Sequence, residues 1–160
     1  VKRVVDIENN LVREAMKMTG IDGGIHVTSI SDVPAEGTGM GSSSAYVVGL
    51  LNAFYAYQGK YVSAQQLARQ ACKIEIDILK SPIGKQDQYE CAIGGLHSII
   101  FNNDGSVNID DLESVCNPDT LNWLKNSLML FYIGNTNHTN GILKNRRTDE
   151  EGFQIRKAMK

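Results

Sequence analysis

The segment Pro34-Ala35-Glu36-Gly37-Thr38-Gly39-Met40-Gly41-Ser42-Ser43-Ser44 runs straight into residues 45–57, a stretch that is apolar almost all round. A helix of that character is a buried one, so the loop ends at a helix N-terminus set into the protein. Glycines at alternate positions open backbone conformations that a Cβ forbids. Successive N–H groups can then turn into one concavity that suits an anion. The helix that follows adds unpaired N–H donors and partial positive charge. Hydroxyls at that mouth can donate to phosphate or ligate Mg²⁺, a hard ion that prefers oxygen. The bland alternative is a surface loop closed by a serine N-cap, but a place between a strand and a buried helix favours the anion site. The loop lacks the lysine of GxxxxGK[ST], and its GxGxG spacing is not the dinucleotide GxGxxG.

Around this segment the pattern is mixed. Val4, Val5, Leu11, Val12, Ala15 and Met18 predict a helix over 4–18, stopped by Gly20 and followed by a turn at Asp22-Gly23-Gly24. Residues 25–30 are short, β-branched and bounded by Gly24 and Pro34, which predicts a strand. Ser63-Ala64-Gln65-Gln66 fits a capping box, and apolar residues at helical spacing carry the helix on to Ile78 and Leu79, short of Pro82. A short helical turn is expected over 86–93, ending at Gly94-Gly95. Residues 97–101 and 106–109 flank Asn103-Asp104-Gly105, a hairpin signal. A further strand is expected at 128–133 and helices at 139–144 and 150–160. Strands and helices mix without strict alternation, so the expected class is α+β.

Composition narrows the function. Hydrophobic residues make up 42% and charged residues 21%, enough apolar mass for a packed core in a single domain over 1–160. Sixteen Lys and Arg against eighteen Asp and Glu give a net charge of −2, which argues against nucleic acid as a partner. No apolar run has the length of a membrane span, and the N-terminal residues lack a signal-peptide apolar stretch. Cys72, Cys91 and Cys116 are widely spaced with no CxxC pair, which favours a reducing, cytoplasmic setting over disulfides or zinc. His26 and His97 read as structural histidines; His138, in a polar loop, is a candidate for substrate contact. Trp123, Phe54, Tyr55 and Tyr57 read as core, and Lys144-Asn145-Arg146-Arg147 as a solvated helix end.

Two acids lie downstream of the loop. Glu75 falls near the end of the helix that Ser63 caps. Asp87 falls in Ser81-Pro82-Ile83-Gly84-Lys85-Gln86-Asp87-Gln88, which proline and glycine make a fixed turn. Phosphoryl transfer needs metal ligation near the bridging oxygens and a group that orients the acceptor hydroxyl, one task for each acid. Spacing alone equally allows a solvated Glu75, an N-capping Asp87 and a surface Lys85.

Taken together, P-x-x-G-x-G-x-G-S-S-S-A and Pro82-Ile83-Gly84-Lys85-Gln86-Asp87-Gln88-Tyr89 with Gly94-Gly95 resemble the GHMP kinases, whose members include galactokinase, homoserine kinase and mevalonate kinase. The chain is most similar to the bacterial heptose 7-phosphate kinase branch, from about residue 10 to about residue 145. The resemblance implies the N-terminal domain of that fold, like the second domain of ribosomal protein S5, with a mixed sheet packed on helices. It implies an ATP- and Mg²⁺-dependent sugar kinase acting on the anomeric hydroxyl of a heptose 7-phosphate-like sugar phosphate. Gly37, Gly39, Gly41, Ser42, Ser43 and Ser44 would cradle the ATP phosphates, Ser43 and Glu75 would also hold Mg²⁺, and Asp87 would be the base, with Lys85 the second catalytic candidate. Thr136 and His138 are the substrate candidates, and Asn137 stands where related kinases often carry arginine. ATP and the sugar phosphate are the expected partners, without nucleic acid or membrane, and a homodimer is allowed. The family's first and third motifs are not in the chain, which implies an interior piece of a longer protein. Two alternatives stay open: another acceptor, of fucose, galactose or mevalonate type, and a non-catalytic ligand-binding member of the fold.

Overall fold

Asn9 opens the first helix by accepting a hydrogen bond from the Val12 N–H through its side chain, and Gly20 closes it with φ at +74°. In the computed structural model, which describes residues 3–31 and 41–131, this helix is α1, Asn10–Thr19. The Ile21 N–H bonds the Met16 carbonyl and the Gly20 N–H bonds the Lys17 carbonyl, the paired bonds of a Schellman end. A 3₁₀ turn, Val4–Asp6, precedes it. The second helix, α2, is Ser42–Tyr57. Ser63 accepts from the Gln66 N–H to start α3, Ala64–Cys72, which passes into a π-helical turn, Lys73–Ile78. α4 is Gln86–Ile93.

These elements form one compact unit through Ile93. α2 packs against α1, α3 and α4, and α3 packs against α4. The core joins Val12, Ala15 and Met16 of α1 to Val47, Val48, Leu50, Leu51, Phe54 and Tyr55 of α2, and to Leu67, Ala71 and Ile74.

A second unit begins at Gly94. β1, His97–Phe101, pairs antiparallel with β2, Val107–Asp111, in the register His97 to Asp111 and Phe101 to Val107. Asp104 Oδ1 accepts from both the N–H and the hydroxyl of Ser106, and Gly105 takes φ +86°, which closes the turn. α5, Leu112–Val115, and α6, Pro118–Ser127, follow. The fold class is α+β, and among the described residues the sheet is this hairpin alone.

Several expectations are corrected. The first helix begins at Asn10, and Val4 and Val5 belong to the 3₁₀ turn. Residues 25–30 are not a strand: Ile25 and Val27 pack on the core while His26 and Thr28 are exposed, so the alternation is there. Among the described residues, however, no strand pairs with it. Residues 128–131 have no regular structure, and Leu128, Met129, Leu130 and Phe131 are exposed. α2 is buried on one face only, with Ala45, Gly49, Asn52, Ala53 and Ala56 exposed on the other. Tyr57 and Trp123 are exposed, Trp123 at 68%, so neither is core. His97 does lie in a strand, yet among the described residues its buried Nδ1 has no hydrogen-bond partner. α6 was not expected, although Asn117-Pro118-Asp119 is a cap, an N1 proline and an acidic first turn.

Candidate active site

Three elements meet at the mouth of α2. Gly41 is its N-cap, with φ +68° and no side-chain cap, and the first intrahelical bond is Ala45 N–H to the Gly41 carbonyl. First-turn N–H groups therefore precede the helical ladder, where an anion binds best. The Asp87 side chain lies against Gly41: a Cβ there would stand 3.4 Å from Asp87 Cβ, Cγ and Oδ2. Asp87 is not the N-cap of α4 but lies within its first turn, where negative charge is favoured.

Glu75 arrives from α3 through the π-helical turn. Its residue is 1% exposed, so it is not the solvated helix acid that spacing also allowed. In the turn, the Leu79 N–H bonds the Ile74 carbonyl and the Ser81 N–H bonds the Glu75 carbonyl, both at 2.9 Å. π turns inside helices frequently mark functional positions, and this one buries Ile74 and Glu75 together. Ser43 Oγ donates to Glu75 Oε1. Ser44 Oγ donates to Oε2 at 2.8 Å, and Gln88 Nε2 donates to the same oxygen at 2.5 Å. The three donors are neutral, and no ion pair to Glu75 exists among the described residues.

This arrangement suits Mg²⁺. A carboxylate oxygen and a hydroxyl, Glu75 Oε1 and Ser43 Oγ, already touch, and hard oxygen ligands are what that ion takes, usually one or two from protein beside substrate phosphates. Among the described residues no group of three His, Cys, Asp or Glu side chains forms a self-sufficient metal cage.

The structure therefore brings together Gly41, Ser43, Ser44, Glu75 and Asp87. Ser42 begins α2 beside them. Lys85 is exposed just before α4, and its backbone carbonyl accepts from the Tyr89 N–H. Burial pushes the Cys72 thiol up to about 11; the Lys85 charge opposes that rise, while Glu75 and Asp77 add to it. Gly37, Gly39, Thr136, His138, Asn137 and the basic cluster at 144–147 lie outside the described residues, as do the helices expected at 139–144 and 150–160. Sequence reasoning missed Gln88, which is 0% exposed. The available signal was a polar residue beside Asp87 at a helix position that faces inward.

The sequence profile of the GHMP kinases N terminal domain matches residues 3–95. D-glycero-alpha-D-manno-heptose 7-phosphate kinase of Campylobacter jejuni subsp. jejuni serotype O:2 (strain ATCC 700819 / NCTC 11168) is 29% identical over 137 residues, which covers 81% of this chain. The chain spans 38% of that relative's length. No solved structure matches. A profile that covers more than half of the chain, and contains every element of the cluster around Glu75, places this protein in the GHMP kinase family, within its N-terminal domain.

Proposed function

We propose that this chain carries N-terminal-domain sequence of an ATP- and Mg²⁺-dependent sugar kinase whose acceptor is the anomeric hydroxyl of a heptose 7-phosphate-like sugar phosphate. The observation that carries the reading is the convergence at one helix mouth: Asp87 against Gly41, and Glu75 on Ser43. The name of the Campylobacter relative supports the heptose acceptor. Gly37, Gly39, Gly41, Ser42 and Ser44 receive the ATP phosphates, Ser44 through its backbone N–H, since its hydroxyl is buried on Glu75. Ser43 and Glu75 hold Mg²⁺, which when bound screens the phosphate charge.

Asp87 orients the acceptor hydroxyl and takes its proton as the oxygen attacks the γ-phosphorus. The bond from that phosphorus to the β–γ bridging oxygen breaks, and ADP leaves. Lys85 supplies positive charge nearby, while Thr136 and His138 contact the sugar phosphate. The three cysteines are free thiols, which supports a cytoplasmic setting. Among the described residues no helix is long and apolar enough to cross a membrane.

The test is ATP consumption by the intact protein across sugars and sugar phosphates, with Asp87→Asn beside the wild type. Turnover is expected with a heptose 7-phosphate, and the variant should lose about 10²–10⁴-fold, the usual contribution of a general base. Preference for galactose, fucose or mevalonate would move the acceptor. Unchanged turnover in Asp87→Asn would remove Asp87 from the chemistry. Binding of Mg²⁺·ATP by calorimetry with no turnover on any acceptor would favour a ligand-binding member of the fold.

A further inference from the structure

The two oxygens of Glu75 are treated differently. Oε2 receives both buried donors, Ser44 Oγ at 2.8 Å and Gln88 Nε2 at 2.5 Å. Oε1 receives Ser43, whose residue is exposed, and among the described residues no other donor reaches it. An amide beside a carboxylate must present its NH₂ group, because its own carbonyl would repel the acceptor. Gln88 is fixed in that orientation, and its Oε1 is left buried with no hydrogen-bond partner among the described residues. Unpaired buried carbonyls are rare and need an explanation. Here the explanation is that the amide is spent on Glu75.

Gln88 also follows Asp87 directly in the first turn of α4. Neighbouring helix positions diverge by about 100°, so one side chain reaches Gly41 while the next reaches inward to Glu75. We propose that Gln88 is a positioning residue: its amide, with the Ser44 hydroxyl, pins Glu75 Oε2 so that Oε1 faces the cation, and it ties the acid that holds the metal to the backbone that carries Asp87. The inference rests on the kinase reading above.

The test uses the intact protein as wild type, Gln88→Leu and Gln70→Leu. Gln70 is the control because its Oε1 is also buried and without a partner among the described residues, while its Nε2 bonds the Tyr55 hydroxyl rather than Glu75. Mn²⁺ stands in for Mg²⁺, since both suit oxygen ligands, and its affinity is read by electron paramagnetic resonance with ATP and no acceptor. Gln88→Leu is expected to weaken Mn²⁺ about 10–100-fold, the usual loss when a residue that orients a metal ligand is removed. The Mg²⁺ needed for half-maximal turnover should rise in parallel, with the ATP KM at saturating Mg²⁺ little changed. Gln70→Leu should shift the melting temperature alone. Mn²⁺ affinity in Gln88→Leu within about twofold of wild type would overturn the inference and leave the kinase reading standing. A wild type that binds no Mn²⁺ with ATP would overturn both. If Gln88→Leu does not fold, Ser44→Ala removes the other donor to the same oxygen, and an unchanged Mn²⁺ affinity there overturns the inference equally.

Discussion

Gly41 carries two demands at one position: a left-handed φ of +68° and the Asp87 side chain beside its Cα. The distance of 3.4 Å from a Cβ to Asp87 is ordinary contact, so the cost of a substitution is in the backbone rather than in a clash. An L-residue forced into that region costs roughly 1–2 kcal/mol. Gly20, with φ +74° and nothing within 4 Å of a Cβ, faces the first demand only. Gly41→Ala and Gly20→Ala should therefore lose similar stability in urea unfolding. Only Gly41→Ala should also lower turnover, because the backbone that must shift to relieve the strain is the one beside Asp87. Equal turnover in the two variants would show that Asp87 does not depend on Gly41 for its place.

At the scale of the element, the π-helical turn decides which apolar side chains are core. Helical spacing carries both Ile78 and Leu79 on the buried face, but the added residue in the turn rotates the chain: Ile74 is fully buried, Leu79 packs on the core and Ile78 is 42% exposed. Ile74→Ala should thus cost about 2–5 kcal/mol as a core truncation. Ile78→Ala should stay within about 0.5 kcal/mol, as exposed substitutions do. Thermal melts of the two variants check this, and comparable losses would mean that the α-helical spacing persists through Glu75. A regular helix would also move Glu75 relative to Ser43 and Ser44.

Over the whole molecule, burial is uneven. Every buried side chain among the described residues lies between Val12 and Tyr89, and none lies in 94–131. A two-stranded hairpin with no fully buried side chain is marginal, and local opening follows local burial. Hydrogen exchange of this chain should therefore be slowest at Val47 to Tyr55 and orders of magnitude faster in β1 and β2. Protection of the hairpin equal to that of α2 would contradict the burial pattern.

Much was legible in the residues. The Ser63 cap, the Gly20 stop, the hairpin around Asn103-Asp104-Gly105 and the helix after the glycine loop all use local signals: a capping side chain, a left-handed glycine, turn residues or an apolar run within a short window. Residues 25–30 show the limit of such signals: alternation was present, but a strand also requires a hydrogen-bonding neighbour, which local sequence does not supply. Glu75 shows it again. The run Lys73 to Ile78 reads the same whether its third residue, Glu75, is solvated or buried. Local chemistry thus determined the helices and their caps. Only tertiary packing decided that Glu75 meets two serines from 31 and 32 residues away and a glutamine from 13. Such contacts depend on how three helices fill one core, and no short window of sequence contains that information.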